Sequence, residues 1–175
     1  MAWTISDARI LAAQGITSVI CAASVARAPI RTGTRVRGSD PVYGSGEFIY
    51  LPTLASATIG TLVHFRQSGS GVFTTIMVPN TAGTGLPVAV AMGTGAATSY
   101  GWFALVGTVP VKKTAVVVNS NVALFISSTT GRVMSTAASG KKIVGMRSSN
   151  SASVVSATST VYVTMQYPHI YPALL

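Results

Sequence analysis

Three sets of side chains in this sequence have residue types suited to chemistry, and each lacks a necessary part. A serine nucleophile acting through His64 and Glu47 would use the imidazole to take its proton and the carboxylate to orient the ring. His64 falls in an expected strand beside Glu47 in the hairpin sense, yet no Gly-x-Ser-x-Gly elbow frames any serine. Metal binding fails on supply: His64 and His169 lie far apart, Cys21 is the single cysteine, and no paired Cys-x-x-Cys occurs. Gly69-Ser70-Gly71 and Gly83-Thr84-Gly85 look superficially like phosphate loops, but neither ends in Gly-Lys-Ser/Thr or opens a helix, so both read as hairpin turns. No catalytic residue, metal site, cofactor or small-molecule substrate is expected.

The supply of acids explains much of this. From Phe48 to Leu175 the chain holds no acidic residue; its three carboxylates are Asp7, Asp40 and Glu47, against twelve Lys and Arg. General acid–base catalysis and hard-metal binding draw on Asp and Glu. The formal net charge of +9 predicts attraction to something acidic. Its sharpest concentration is Arg27, Arg31, Arg35 and Arg37, interleaved with Ala, Pro, Thr and Gly. Guanidiniums in such a segment pair with phosphates or, in bidentate fashion, with carboxylates. No aromatic residue lies between Trp3 and Tyr43, so single-strand stacking lacks its rings. An arm threading over an acidic protein surface is the preferred reading, with nucleic acid as the alternative.

At 175 residues the chain suits one compact domain with an extension. Charged residues make up 9% of it, against about 25% in an ordinary soluble domain. Mean hydropathy is +0.53. Gln67–Val111 carries no charge, but Pro79, Pro87, Pro110 and repeated glycines break every apolar run well short of the roughly 20 residues a spanning helix needs. No membrane span is therefore expected. So little ionic surface points instead to a protein covered by other proteins.

Residues 1–40 read as an N-terminal extension. Thr4–Gln14 has a capping Ser6, Asp7 in the first turn and Gly15 as a stop, the marks of a short helix; Ile16–Arg37, rich in β-branched residues and holding Pro29, reads as an extended arm. Residues 41–167 read as a β-rich domain. Strands are expected at Glu47–Leu51, Thr61–Arg66, Val72–Val78, Pro87–Met92, Trp102–Val111, Ala115–Val118, Val122–Ile126, Lys142–Met146 and Thr160–Gln166, separated by Gly, Asn and Ser turns. Short, regularly spaced strands predict an all-β fold, a small barrel or sandwich. Val161, Val163 and Met165 alternate with Tyr162, Thr164 and Gln166, as a half-buried strand requires. Leu105–Val106 and Val116–Val118 are apolar on both faces, so they belong either deep in a core or against a neighbouring subunit. The tail, residues 168–175 with Pro168 and Pro172, is expected not to extend a central strand.

Gly46-Glu47-Phe48-Ile49-Tyr50-Leu51-Pro52, Ile59-Gly60-Thr61-Leu62-Val63, Pro87-Val88-Ala89-Val90-Ala91-Met92 and Tyr100-Gly101-Trp102-Phe103-Ala104-Leu105-Val106-Gly107 resemble capsid decoration (cement) proteins of tailed bacteriophages. The resemblance covers Gly44–Val111 and continues more loosely through Thr114–Tyr167; Thr53 stands where the pattern has glycine after the proline. It implies a small β-barrel or tulip-like fold forming a homotrimer on the outer capsid surface of the virion, where it fastens neighbouring major capsid proteins. Under this reading Arg27, Arg31, Arg35 and Arg37 contact the capsid lattice. Phe48, Tyr50, Trp102 and Phe103 are core or interface anchors. The competing readings are a nucleic-acid-binding module with a basic arm and a tail or fibre subunit.

Overall fold

A computed structural model describes residues 4–5 and 30–171. Among them there is no helix, and one curled antiparallel sheet forms a half-barrel. Its strands are β1 (Thr4–Ile5), β2 (Arg35–Asp40), β3 (Gly44–Pro52), β4 (Leu62–Gln67), β5 (Phe73–Met77), β6 (Val88–Ala91), β7 (Tyr100–Lys112), β8 (Ala123–Ile126), β9 (Val133–Met134), β10 (Lys142–Ser148) and β11 (Thr160–Ile170).

The long β7 is the spine. Phe48 and Val90 both pair with Ala104, and Glu47 and Gln166 both pair with Val106. A residue has two backbone edges, so β3 occupies one side of β7 while β6 and β11 share the other. The sheet forks there. One branch runs β6–β4–β5 from the first half of β7, and the other runs β11–β10–β8–β9 from its second half. On the far side, β3 continues to β2 and β1.

Two apolar clusters follow from the period-two geometry of strands. Phe48 and Tyr50 of β3, Val88 and Val90 of β6, and Trp102 and Ala104 of β7 enter a large core with Val161, Val163 and Met165 of β11. Their alternates, Ile49, Leu51, Ala89, Ala91, Phe103 and Leu105, enter a second cluster on the opposite face, joined by Ala57, Val63 and Phe65. The first half of β7 is thus buried on both faces inside the chain itself, which accounts for the doubly apolar texture at Leu105. Burying each such aromatic or aliphatic side chain stabilises the fold by about 1.5–3 kcal/mol.

Three features depart from the sequence reading. Arg35–Asp40 is not part of a detached arm. It pairs with β3 from Arg35↔Ile49 to Asp40↔Gly44, with Val36 turned into the large core. The connecting turn is held by Asp40, whose Oδ1 accepts from the Val42 and Tyr43 amides at 2.8 and 3.1 Å. The boundary between extension and domain therefore lies before residue 35, not at residue 40. Second, Ala115–Val118 forms no strand; Val118 makes an isolated bridge to Val154 while Val117 is exposed. Third, β11 runs through Pro168 to Ile170, where Ile143↔Ile170 and Val144↔His169 pair it with β10. Proline is accommodated because the ladder is interrupted at that point: the β10–β11 register shifts between Val144 and Met146, and Tyr167 adopts φ +43°. The expected helix over Thr4–Gln14 meets a strand at Thr4–Ile5, where Thr4 pairs with Ser39, and otherwise lies outside the described residues.

Candidate functional site: the arginine-bearing β2–β3 hairpin

Arg27 lies outside the described residues. Arg31 is exposed at a turn in which its carbonyl accepts from the Thr34 amide at 3.1 Å and from Thr34 Oγ1 at 2.6 Å. Strand β2 alternates exposed and buried, which puts Arg35 and Arg37 on one outward face beside each other. The arginine spacing read from sequence thus becomes a positional fact: residues two apart on a strand share a face.

Arg35 is not free for an external partner. Its Nη1 stands 3.6 Å from Glu47 Oε1, and its guanidinium lies 5.7 Å from the centroid of the Tyr167 ring. The Tyr167 hydroxyl donates to Glu47 Oε2 at 2.8 Å. Ionising that phenol would set two anions against each other, so the bond to Glu47, with burial and the Glu47 charge, pushes the Tyr167 pKa up; Arg35 and Arg37 oppose the shift. Glu47 thereby ties β3 to both β2 and β11. Arg37 lies directly across the ladder from Glu47. Within the hairpin Arg35 and Arg37 are balanced by Asp40 and Glu47, but Asp40 is buried in the turn, so the outward face of β2 with the preceding Arg31 presents three guanidiniums around the one carboxylate of Glu47. Sequence reasoning gave Tyr167, the last residue of the expected β-rich domain, no role; the structure places it at the β11 irregularity, with φ +43°.

The aromatic residues singled out as anchors are all internal. Phe48, Tyr50, Trp102 and Phe103 are each at most 1% exposed. Tyr50 sits between Trp102 and Tyr100, with ring centroids at 5.1 and 6.0 Å. They anchor this chain's own cores.

The Ser–His–Glu arrangement does not assemble. His64 is buried, with Nδ1 3.3 Å from the Pro87 carbonyl and Nε2 3.2 Å from Thr84 Oγ1, whereas Glu47 is engaged by Arg35 and Tyr167. One tautomer satisfies both imidazole contacts: Nδ1–H donates to the carbonyl and Nε2 accepts from the hydroxyl. Burial holds the His64 pKa below its ordinary value, partly offset by the Pro87 carbonyl. Among the described residues, no three His, Cys, Asp or Glu side chains come together.

Sequence reasoning missed Lys113. This residue is fully buried, and its ammonium donates to the carbonyls of Thr114, Val116 and Ser156 at 3.2, 2.7 and 3.4 Å. Loss of hydration pushes its pKa down. In a stretch without acids the backbone supplies the negative ends of dipoles instead, and the lysine pins the loops Thr114–Val116 and Ser156 together. The signal available in sequence was a Lys in the middle of an apolar run, which is rarely buried without partners.

Compared with known proteins, the chain matches no family model, no curated protein and no solved structure.

Proposed function

We propose that this chain is a non-enzymatic structural protein of a virion, which decorates the outer surface of a phage capsid and fastens neighbouring major capsid proteins. The proposal includes a homotrimeric assembly. The observation that carries it is the charge arrangement. Asp40 closes a turn, Glu47 is held by Arg35 and Tyr167, Arg37 faces outward from β2, and Arg31 is exposed in the turn before it. Outward cations on and beside a strand fixed in the sheet, with the described acids engaged within the chain, suit attachment to an acidic protein lattice. The resemblance adds support, since the segments Gly44–Val111 that carry it build β3, β4, β6 and the first half of β7.

The engagement of Arg35 sharpens the test. Replacing Arg27, Arg31 and Arg37 with Gln leaves the Arg35–Glu47–Tyr167 cluster intact. The protein is incubated with capsid shells purified from the virus that encodes it, and bound protein is measured by sedimentation across a salt series. Wild-type protein is expected to pellet with shells and to be released by salt, with the triple variant released at lower ionic strength. Wild-type protein that never pellets with shells, or a triple variant that stays bound at high salt, overturns the reading. Salt-dependent shifting of duplex DNA in place of shell binding would favour the nucleic-acid alternative.

A further inference from the structure

The turn joining β2 to β3 meets the rest of the sheet at a point that the arginine site does not use. Tyr43 in that turn and Tyr162 on β11 stack with ring centroids 5.2 Å apart and planes 23° from parallel. The Tyr43 hydroxyl donates to the Tyr162 hydroxyl at 2.9 Å. The oxygens are much closer than the centroids, so the rings converge toward their hydroxyl ends. The ring carbons beside each hydroxyl sit in that narrow part of the wedge.

Both phenols are positioned from the backbone. The Tyr43 amide donates to Asp40 Oδ1 at 3.1 Å, and the Tyr162 amide donates to Asn150 Oδ1 at 3.1 Å. Tyr162 also pairs with Pro110 in the β7–β11 ladder. Two groups fixed side by side react as if within one small molecule, at effective concentrations far above those of free phenols. The pair is open to reagents as well: Tyr162 is 37% exposed and Tyr43 is half-buried. The other tyrosine stack among the described residues, Tyr50 with Tyr100, has its centroids 6.0 Å apart and Tyr50 enclosed in the large core.

We infer that Tyr43 and Tyr162 form an oxidative cross-linking site, where a one-electron oxidant of the haem-peroxidase class, driven by hydrogen peroxide, joins the two rings as dityrosine. Each hydroxyl gives up one electron and one proton, leaving two phenoxyl radicals whose spin density reaches the carbons beside the oxygen. Those carbons form the new carbon–carbon bond, and the hydrogen each carried moves to its oxygen, restoring both phenols. The two electrons and two protons reduce one hydrogen peroxide to two waters, so the chain loses two hydrogen atoms. Donation to Tyr162 pushes the Tyr43 pKa up, so at neutral pH its proton leaves together with the electron.

The bond fastens the tip of the β2–β3 hairpin to β11 and closes a loop across 119 positions of sequence. A cross-link over so long a loop strongly restricts the unfolded chain. No disulfide within the chain can do this, because Cys21 is the single cysteine. The inference rests on the tyrosine geometry and is independent of the capsid reading.

The test treats dilute full-length protein with a haem peroxidase and limiting hydrogen peroxide. Dityrosine is read by its blue fluorescence and by intact mass, and a denaturing gel separates monomers from covalent dimers. The expected product is a monomer lacking two hydrogen atoms, in which trypsin releases residues 38–66 joined to residues 148–175. It should melt roughly 10 °C above untreated protein. Tyr43→Phe and Tyr162→Phe each keep the ring and remove one hydroxyl, and each should lower the monomer yield by roughly tenfold or more. Tyr171→Phe, at an exposed tyrosine away from the pair, should leave the yield unchanged. Thermal melting of the untreated variants checks that they fold. A wild-type yield no higher than that of Tyr43→Phe and Tyr162→Phe overturns the inference. So does dityrosine confined to covalent dimers, which would come from exposed tyrosines of separate chains.

Discussion

The two halves of β7 live in different surroundings. From Trp102 to Leu105 every residue is buried, because alternate side chains enter two separate clusters. Its partner β6 is buried along its whole length for the same reason. The second half pairs instead with β11, where Val161, Val163 and Met165 are buried and Tyr162, Thr164 and Gln166 are exposed. The first half is therefore finished by the chain itself, with loops and β4 closing its outer face. Around the second half the outward face opens at β11 rather than at β7, whose Val109, Pro110 and Val111 stay buried. The large core runs through both branches, whereas the second cluster covers only β3, β4, β6 and the start of β7.

The largest test of this contrast replaces Phe103, which fills the second cluster. Phe103→Ala should destabilise the protein by about 4 kcal/mol, read by urea denaturation, while Thr164→Ala on the open face of β11 should stay within about 0.5 kcal/mol. Similar losses at the two sites would abolish the distinction. A smaller effect tests the β10–β11 bulge. Gly145→Ala forces a side chain into a left-handed conformation and against the Gln166 carbonyl, and it should cost about 2 kcal/mol. An Ala variant as stable as wild type would mean that the ladder simply closes there.

The smallest effect is a pH dependence in the doubly buried branch. His64 keeps its neutral form in the folded protein, whereas an unfolded chain takes up a proton near pH 6.5. The unfolded state then binds more protons, so this contribution is complete above pH 6.5 and fades as the pH falls toward the lower folded value. The slope is at most one proton, about 1.4 kcal/mol per pH unit. Replacing His64 with Gln should flatten the stability profile between pH 7 and pH 5. An unchanged profile would assign the acid sensitivity to other groups.

Much of the strand pattern was legible because burial on one face writes a period of two into the chain. Val161–Gln166 is the clearest case, with every alternate residue matching its exposure. Strand β2 was not, since Arg35, Val36, Arg37 and Gly38 offer one large apolar side chain among them and draw attention to charge. Arg35 and Arg37 were found as residues and misplaced in an arm. Pro168 was read as excluding a strand, a rule that holds for a continuous ladder and lapses where a bulge interrupts it.

Residue order by itself determined the strand-rich pattern, the charge-free middle and the want of acids after Glu47. Those are properties of local periodicity and of which groups exist. Tertiary structure alone decided that Arg35 would spend its charge on Glu47 and Tyr167, that Lys113 would be wrapped by carbonyls, and that β6 and β11 would share one edge of β7. Each includes a contact between positions distant along the backbone: Glu47 and Tyr167 are 120 residues apart, and Lys113 and Ser156 are 43. Such meetings are set by where the sheet forks and curls, which follows from the summed burial of both clusters and from no short stretch of sequence.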